Sequence, residues 1–69
     1  MTPDQELRAR ILKMLDTVPN GLMYSTTDWH RILKEDKREI RTTLKTLEEE
    51  DEIEIQPSGR TDKPLYRRR

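Results

Sequence analysis

The stretch whose reading decides the fold is "DKREIRTTLKTLEEEDEIEI", Asp36 to Ile55. It opens with Ile40, Leu44 and Leu47 at helical spacing and Thr43 on their flank, and apolar residues that recur every three to four positions line one side of a helix. Asp36 stands where a helix N-cap belongs, and Glu39 follows three residues later in capping-box spacing. After Asp51 the period shortens to two, because Ile53 and Ile55 alternate with Glu52, Glu54 and Gln56. That alternation marks a strand with one covered face. The charge reverses over the same segment: four bases face one acid from Lys37 to Lys45, and six acids face no base from Glu48 to Glu54.

Upstream, Thr2 is a plausible N-cap, with Pro3 at the first helical position and Gln5 three residues after the cap. Leu7, Ile11, Met14 or Leu15, and Val18 then recur at helical spacing among Arg8, Arg10, Lys13 and Asp16. "VPNG" ends this helix: Pro19 disfavours helix in the residue before it, and Asn20-Gly21 supplies a turn. "LMY", Leu22 to Tyr24, is too short to classify by period but fits one short strand. In "STTDWHRILKED" Ser25, Thr26 or Thr27 caps a short helix whose apolar side is Trp29, Ile32 and Leu33, with Asp28 in the first turn. Downstream, "PSGRTDKP" is a turn-rich loop, and "LYRRR" provides a return strand that pairs with "IEIQ". The expected fold is α+β: one domain over 1–69, helices at about 3–17, 27–34 and 37–50, and a hairpin at about 53–67.

This order resembles the winged helix-turn-helix superfamily of DNA-binding proteins over nearly the whole chain. Trp29-His30-Arg31-Ile32-Leu33 stands in place of its second helix, Asp36 to Glu50 in place of its recognition helix, and Ile53 to Tyr66 in place of its C-terminal β-hairpin wing. "IRTTLKTLEEEDEIE" and "GRTDKPLYR" look like junctions common in the family's small transcription regulators. Two positions depart from the pattern. Asp51 occupies a turn position where the family usually has glycine, although Asp tolerates left-handed backbone better than most residues. Arg68 stands where an apolar residue is expected two after Tyr66, which predicts either an early end to the wing or a chain cut from something longer.

Composition narrows the function classes. A chain of 69 residues buries only about 60% of the surface its unfolded form exposes, too little for a deep substrate cavity as well as a core. With no cysteine, disulfides, iron-sulfur clusters and thiolate zinc sites are excluded. His30 is the lone histidine and has no partner set for a metal or a nucleophilic triad. The acidic run lacks the spacing of a calcium loop, and no phosphate-binding glycine loop or paired catalytic carboxylates can be assembled. The expectation is a non-enzyme without cofactor, metal or small-molecule ligand. No apolar run approaches the ~20 residues that span a bilayer, so no membrane partner is expected and the expected compartment is the cytoplasm, including the nucleoid, with the nucleus also open.

The candidate binding residues follow from the third helix. Opposite Ile40, Leu44 and Leu47 lie Arg38, Arg41, Thr42 and Lys45, with Lys37 at the helix start. The resemblance implies that this face enters a duplex major groove, where arginine suits guanine O6 and N7, threonine suits a base edge or thymine methyl, and lysine meets phosphate. Arg60 and Lys63 on the wing loop would hold phosphates, with Ser58 and Thr61 as further donors; Arg67, Arg68 and Arg69 read equally as phosphate contacts or as a tail. The implied function is sequence-specific binding of double-stranded DNA by a small regulator, as a homodimer on two half-sites or through tandem contacts. The alternative is a protein-interaction module that uses the acidic segment and the wing. Trp29 reads first as core or a dimer contact, and Tyr24 and Tyr66 as strand residues packing the hairpin.

Overall fold

The computed structural model describes residues 3–59 and 62–69, with side chains from Gln5 onward. The chain forms α1 (Pro3–Asp16), β1 (Leu22–Met23), α2 (Thr26–Leu33), α3 (Lys37–Glu49), β2 (Ile53–Gln56) and β3 (Leu65–Arg68). The α+β class and the element order agree with the sequence reading, and each boundary moves by about one residue, within the ordinary fraying of helix and strand ends. Thr2, the expected cap of α1, lies outside the described residues. Among the described residues no helix is long and apolar enough to cross a membrane.

Local chemistry explains where the helices begin. Ser25 caps α2 by a reciprocal pair of bonds: its Oγ accepts from the Asp28 N–H at 3.1 Å, and Asp28 Oδ2 accepts from the Ser25 N–H at 3.0 Å. Two of the helix's orphan donors are thereby satisfied. At α3 Asp36 Oδ1 accepts from the Arg38 N–H at 2.7 Å. The bond goes to the second helical residue, so Asp36 is the expected cap but not half of a capping box.

Ten side chains form the core: Leu7, Ile11 and Leu15 from α1, Trp29 and Leu33 from α2, Ile40, Leu44 and Leu47 from α3, and Ile53 and Tyr66 from the hairpin. Thr43, expected at the flank of the α3 stripe, is also buried. Trp29 is at the centre, with Tyr24 and Tyr66 set edge-on against it at ring-centroid distances of 5.1 and 5.4 Å. Ile32 corrects the sequence reading: it is 44% exposed. Trp29 and Leu33, four residues apart, turn one edge of this short helix to the core, and Ile32 is left beside a gap. The gap exists because α1 and α2 each pack on α3 and hardly on one another.

The sheet is antiparallel with strand order β1-β3-β2. Gly21 makes the entry to β1 possible. Its φ is +90°, and a Cβ there would stand 2.8 Å from the Tyr66 carbonyl oxygen, so neither the backbone angle nor the space admits a side chain. Asp51 turns the chain from α3 into β2 with φ +60°, performing in left-handed backbone what a glycine would do more cheaply. The structure gives no early end to the hairpin. Arg68 pairs in register with Ile53, and its guanidinium donates to the Glu52 carbonyl oxygen at 2.6 Å, to Glu52 Oε2 at 3.2 Å and to Asp16 Oδ1 at 3.0 Å. Charge-assisted bonds at the strand's margin replace the expected apolar contact.

Candidate nucleic-acid interface

The charges of this chain are sorted by the fold. The acidic run meets basic partners brought from both ends of the sequence: Glu50 pairs with Arg8 of α1 at 2.6 Å, Asp51 with Arg69 at 3.9 Å, Glu52 with Arg68 at 3.2 Å, and Glu54 with Arg67 at 3.0 Å. Arg68 also reaches Asp16 at 3.0 Å, and Arg10 reaches Glu35 at 3.5 Å. Pairing with Glu50 raises the Arg8 pKa, and the same contact holds the Glu50 carboxyl below its ordinary value. Such exposed pairs add little stability. Their effect is to place most of the acidic run beside positive charge.

Four of the cations left over lie on one helix. Lys37, Arg38, Arg41 and Lys45 are exposed, and among the described residues none of them has an ion-pair partner. With Ile40, Thr43, Leu44 and Leu47 buried, helical geometry places Arg38, Thr42, Lys45 and Glu49 on the outward stripe, with Arg41 and Lys37 toward one side. Thr42 is exposed and also borders a shallow hollow with Gln5, Arg8, Thr43 and Thr46. Asp36 already meets the first turn of α3 with its own carboxylate, and Glu39 adds a second acid there, so this helix end offers no open anion site and the patch rests on its basic side chains.

The loop between β2 and β3 is described only in part. Arg60 and Thr61 lie outside the described residues. Lys63 is half-buried, and its ammonium lies 3.4 Å from Asp28 at the start of α2. Ser58 Oγ donates to the Lys63 carbonyl, which fixes the loop from its other side. Asp28 is therefore a shared anchor. Its carboxyl is held below the ordinary value chiefly by the Ser25 backbone N–H, against some desolvation, with the Ser25 hydroxyl and Lys63 adding to the effect. Arg67, Arg68 and Arg69 are placed against Glu54, Glu52 with Asp16, and Asp51, so they do not extend the unpaired patch of α3.

Three further cations, Lys13 on α1 and Arg31 and Lys34 at the end of α2, are exposed without an ion-pair partner among the described residues. The sequence reading did not single them out. Lys34 carries a detectable signal, because it is the C-cap of α2 with φ +58°, a position that favours glycine. The positive charge suits the negative end of the α2 dipole, while the left-handed backbone does not suit a side chain. His30 steadies the same turn: its Nδ1–H donates to the Glu35 carbonyl at 2.6 Å. Arg31, Lys34, Lys37 and Arg38 thus follow one another through the α2–α3 connection into the exposed face of α3.

A separate surface lies between α1 and α2. There Arg10, Lys13, Met14, Thr17, Ile32 and Leu33 line an open groove of about 370 Å³, with the exposed side of Ile32 forming part of its wall. In comparisons with known proteins no family model matches the chain, and neither a curated protein nor a solved structure matches it.

Proposed function

We propose that the chain is a winged helix-turn-helix protein that binds double-stranded DNA in a sequence-specific way and acts as a small transcriptional regulator. The observation that carries this reading is the division of charge. A molecule of zero formal net charge pairs four of the six acids of its acidic run internally and leaves the cations of α3 without ion-pair partners among the described residues. A surface of that kind attracts a polyanion locally while the whole molecule has no long-range attraction to one.

In this reading α3 enters the major groove. Arg38, Arg41 and Thr42 address base edges, where a bidentate arginine on guanine is the commonest specific contact. Lys37 and Lys45 hold phosphates, joined by Lys34 and Arg31 along the turn and by Arg60 and Lys63 on the wing. Lys63 would have to leave Asp28, or be shared with it, to do so. One module of this size buries about 600–1,000 Å² of protein surface on DNA, so useful affinity favours two copies on two half-sites. Neutralising about five phosphates per copy predicts that log affinity falls with log salt at a slope near 4.5.

The test is duplex binding by the wild-type chain and by the double variant Arg41→Glu, Lys45→Glu, at several salt concentrations. Salt-dependent binding that the double variant loses supports the proposal. Binding that is flat with salt, or unaffected by the two reversals, removes it. The open α1–α2 groove supports a second reading, a module that docks a protein partner; under that reading the double variant keeps its partner and the wild-type chain shows no duplex binding.

A further inference from the structure

We infer that Glu49 is a specificity-determining residue of the α3 surface, an acceptor that selects a base carrying an exocyclic amino group, cytosine N4 first, at one end of the bound site. This rests on the DNA-binding reading above. The acids of the run from Glu48 to Glu54 do not share one fate. Glu50, Asp51, Glu52 and Glu54 each meet an arginine. Glu48 lies close enough to Tyr66 to help raise the pKa of its hydroxyl. Glu49 is exposed and has neither an ion-pair nor a hydrogen-bond partner among the described residues.

No ion pair of the described fold uses a carboxylate at this position, and Lys45, four residues earlier, is only a weakly favourable neighbour. Glu49 is the last residue of α3, where the helix dipole makes negative charge mildly unfavourable. It also shares the outward stripe with Arg38, Thr42 and Lys45, at successive spacings of four, three and four residues. A helix laid along the groove through Arg38 therefore carries Glu49 about 16 Å further on, at about 1.5 Å per residue, or about five base steps at ~3.4 Å each.

Chemistry then restricts what Glu49 can face. An ionised carboxylate accepts hydrogen bonds and donates none. On the major-groove edge the only donors are the amino groups of cytosine and adenine, and Glu or Asp characteristically accepts from cytosine N4. Opposite guanine O6, thymine O4 or a phosphate oxygen, Glu49 is repelled. It thus opposes binding to most sequences and ceases to do so at one kind of base, which is discrimination by penalty. Lys45, one turn back, holds the helix close enough for the penalty to be felt within a Debye length.

The experiment is selection from a random duplex pool at moderate salt with the wild-type chain, Glu49→Gln and Glu48→Gln, beside affinities for one unselected duplex. Wild type and Glu48→Gln are expected to enrich the same sequences, with cytosine or adenine preferred about fivefold or more at one position. Glu49→Gln is expected to lose that preference alone and to bind the unselected duplex about 1.5- to 3-fold more tightly. A measurement without any variant tests the same point: replacing the selected cytosine by thymine lowers wild-type affinity about fivefold or more. Unchanged preferences in Glu49→Gln, or indifference of the wild type to that replacement, overturn the inference and leave the DNA reading standing. Failure of the wild-type chain to enrich any duplex overturns both.

Discussion

Tyr66 of β3 stands edge-on to Trp29 of α2, with ring centroids 5.4 Å apart and planes at 86°. Edge-to-face pairs of this kind add about 0.5–1.5 kcal/mol beyond the area they bury. Trp29 is fully buried and touches both the hairpin and the end of β1 through its two tyrosines. Trp29→Ala should cost about 3–5 kcal/mol, against a total stability of about 3–10 kcal/mol for a chain of this length. Urea titration followed by circular dichroism should find the midpoint strongly lowered, with the variant unfolded without denaturant where the wild-type stability lies at the low end of that range. Tyr24→Ala, which removes a half-buried ring, should be clearly milder.

Arg68 joins three places that are distant in sequence: Asp16 at the end of α1, Glu52 at the entry to β2, and β3 itself. Arg68→Ala should cost about 1 kcal/mol, as expected for partly exposed charge-assisted bonds. The loss should be local. Amide exchange is expected to quicken at Arg69, whose N–H donates to the Glu52 carbonyl, and at neighbouring Glu54, while the centre of α3 keeps its protection, and Arg68→Lys, which cannot reproduce the planar fork, should resemble alanine more than wild type.

Acid should weaken the molecule through Asp28 and Glu50. Both carboxyls have folded values below their ordinary ones, so their contribution is complete above the unfolded value and is lost as pH falls through the folded value. Asp28→Asn should therefore lower the melting temperature at neutral pH and make no difference in strong acid, where the wild-type carboxyl is already protonated. Tyr66 has the opposite sign. Burial raises its hydroxyl pKa above 10.0, Glu48 adds to this, and the Trp29 indole opposes it. Its contribution is lost as pH rises past that point, and a spectroscopic titration should show Tyr66 ionising above the ordinary tyrosine value.

Lys34 offers a separation of stability from function. Its left-handed backbone, φ +58°, costs a non-glycine residue about 1–2 kcal/mol. Lys34→Gly should raise the unfolding free energy by up to about that amount. If Lys34 holds a phosphate, the same change should reduce the salt slope of duplex binding by about 0.9. A variant that is more stable and binds DNA with the full slope would show the backbone strain and remove Lys34 from the phosphate contacts.

Helix and strand positions were legible because they depend on neighbours a few residues apart. Ile40, Leu44 and Leu47 announce a helix with Asp36 as its cap, and Ile53 and Ile55 a strand, all within one or two turns, whereas the cap of α2 stayed open among Ser25, Thr26 and Thr27 until the Ser25–Asp28 bonds chose the first. Ile32 was misread because its apolar character says nothing about the gap beside it, which is set by how α1 and α2 separately lie on α3. The acidic run was ambiguous for the same reason. Its partners Arg8, Arg67, Arg68 and Arg69 belong to other elements, and the Asp16 to Arg68 contact spans 52 positions. The face of α3 could be listed from periodicity, but which of its charges stay unpaired is a property of the assembled molecule. Arg31 and Lys34 were overlooked because they flank a helix end and belong to no amphipathic pattern.

The strand order β1-β3-β2 carries a consequence for how the molecule assembles. The outer strands never touch each other through hydrogen bonds; each is paired with β3 alone. Leu22–Met23 and Ile53–Gln56 therefore have no sheet to join until Leu65–Arg68 docks between them, and that docking closes loops of very different length in one event. The helices can form early, since their contacts are local. In a pulsed hydrogen-exchange experiment, protection of β1 and β2 should appear together, and later than that of α3.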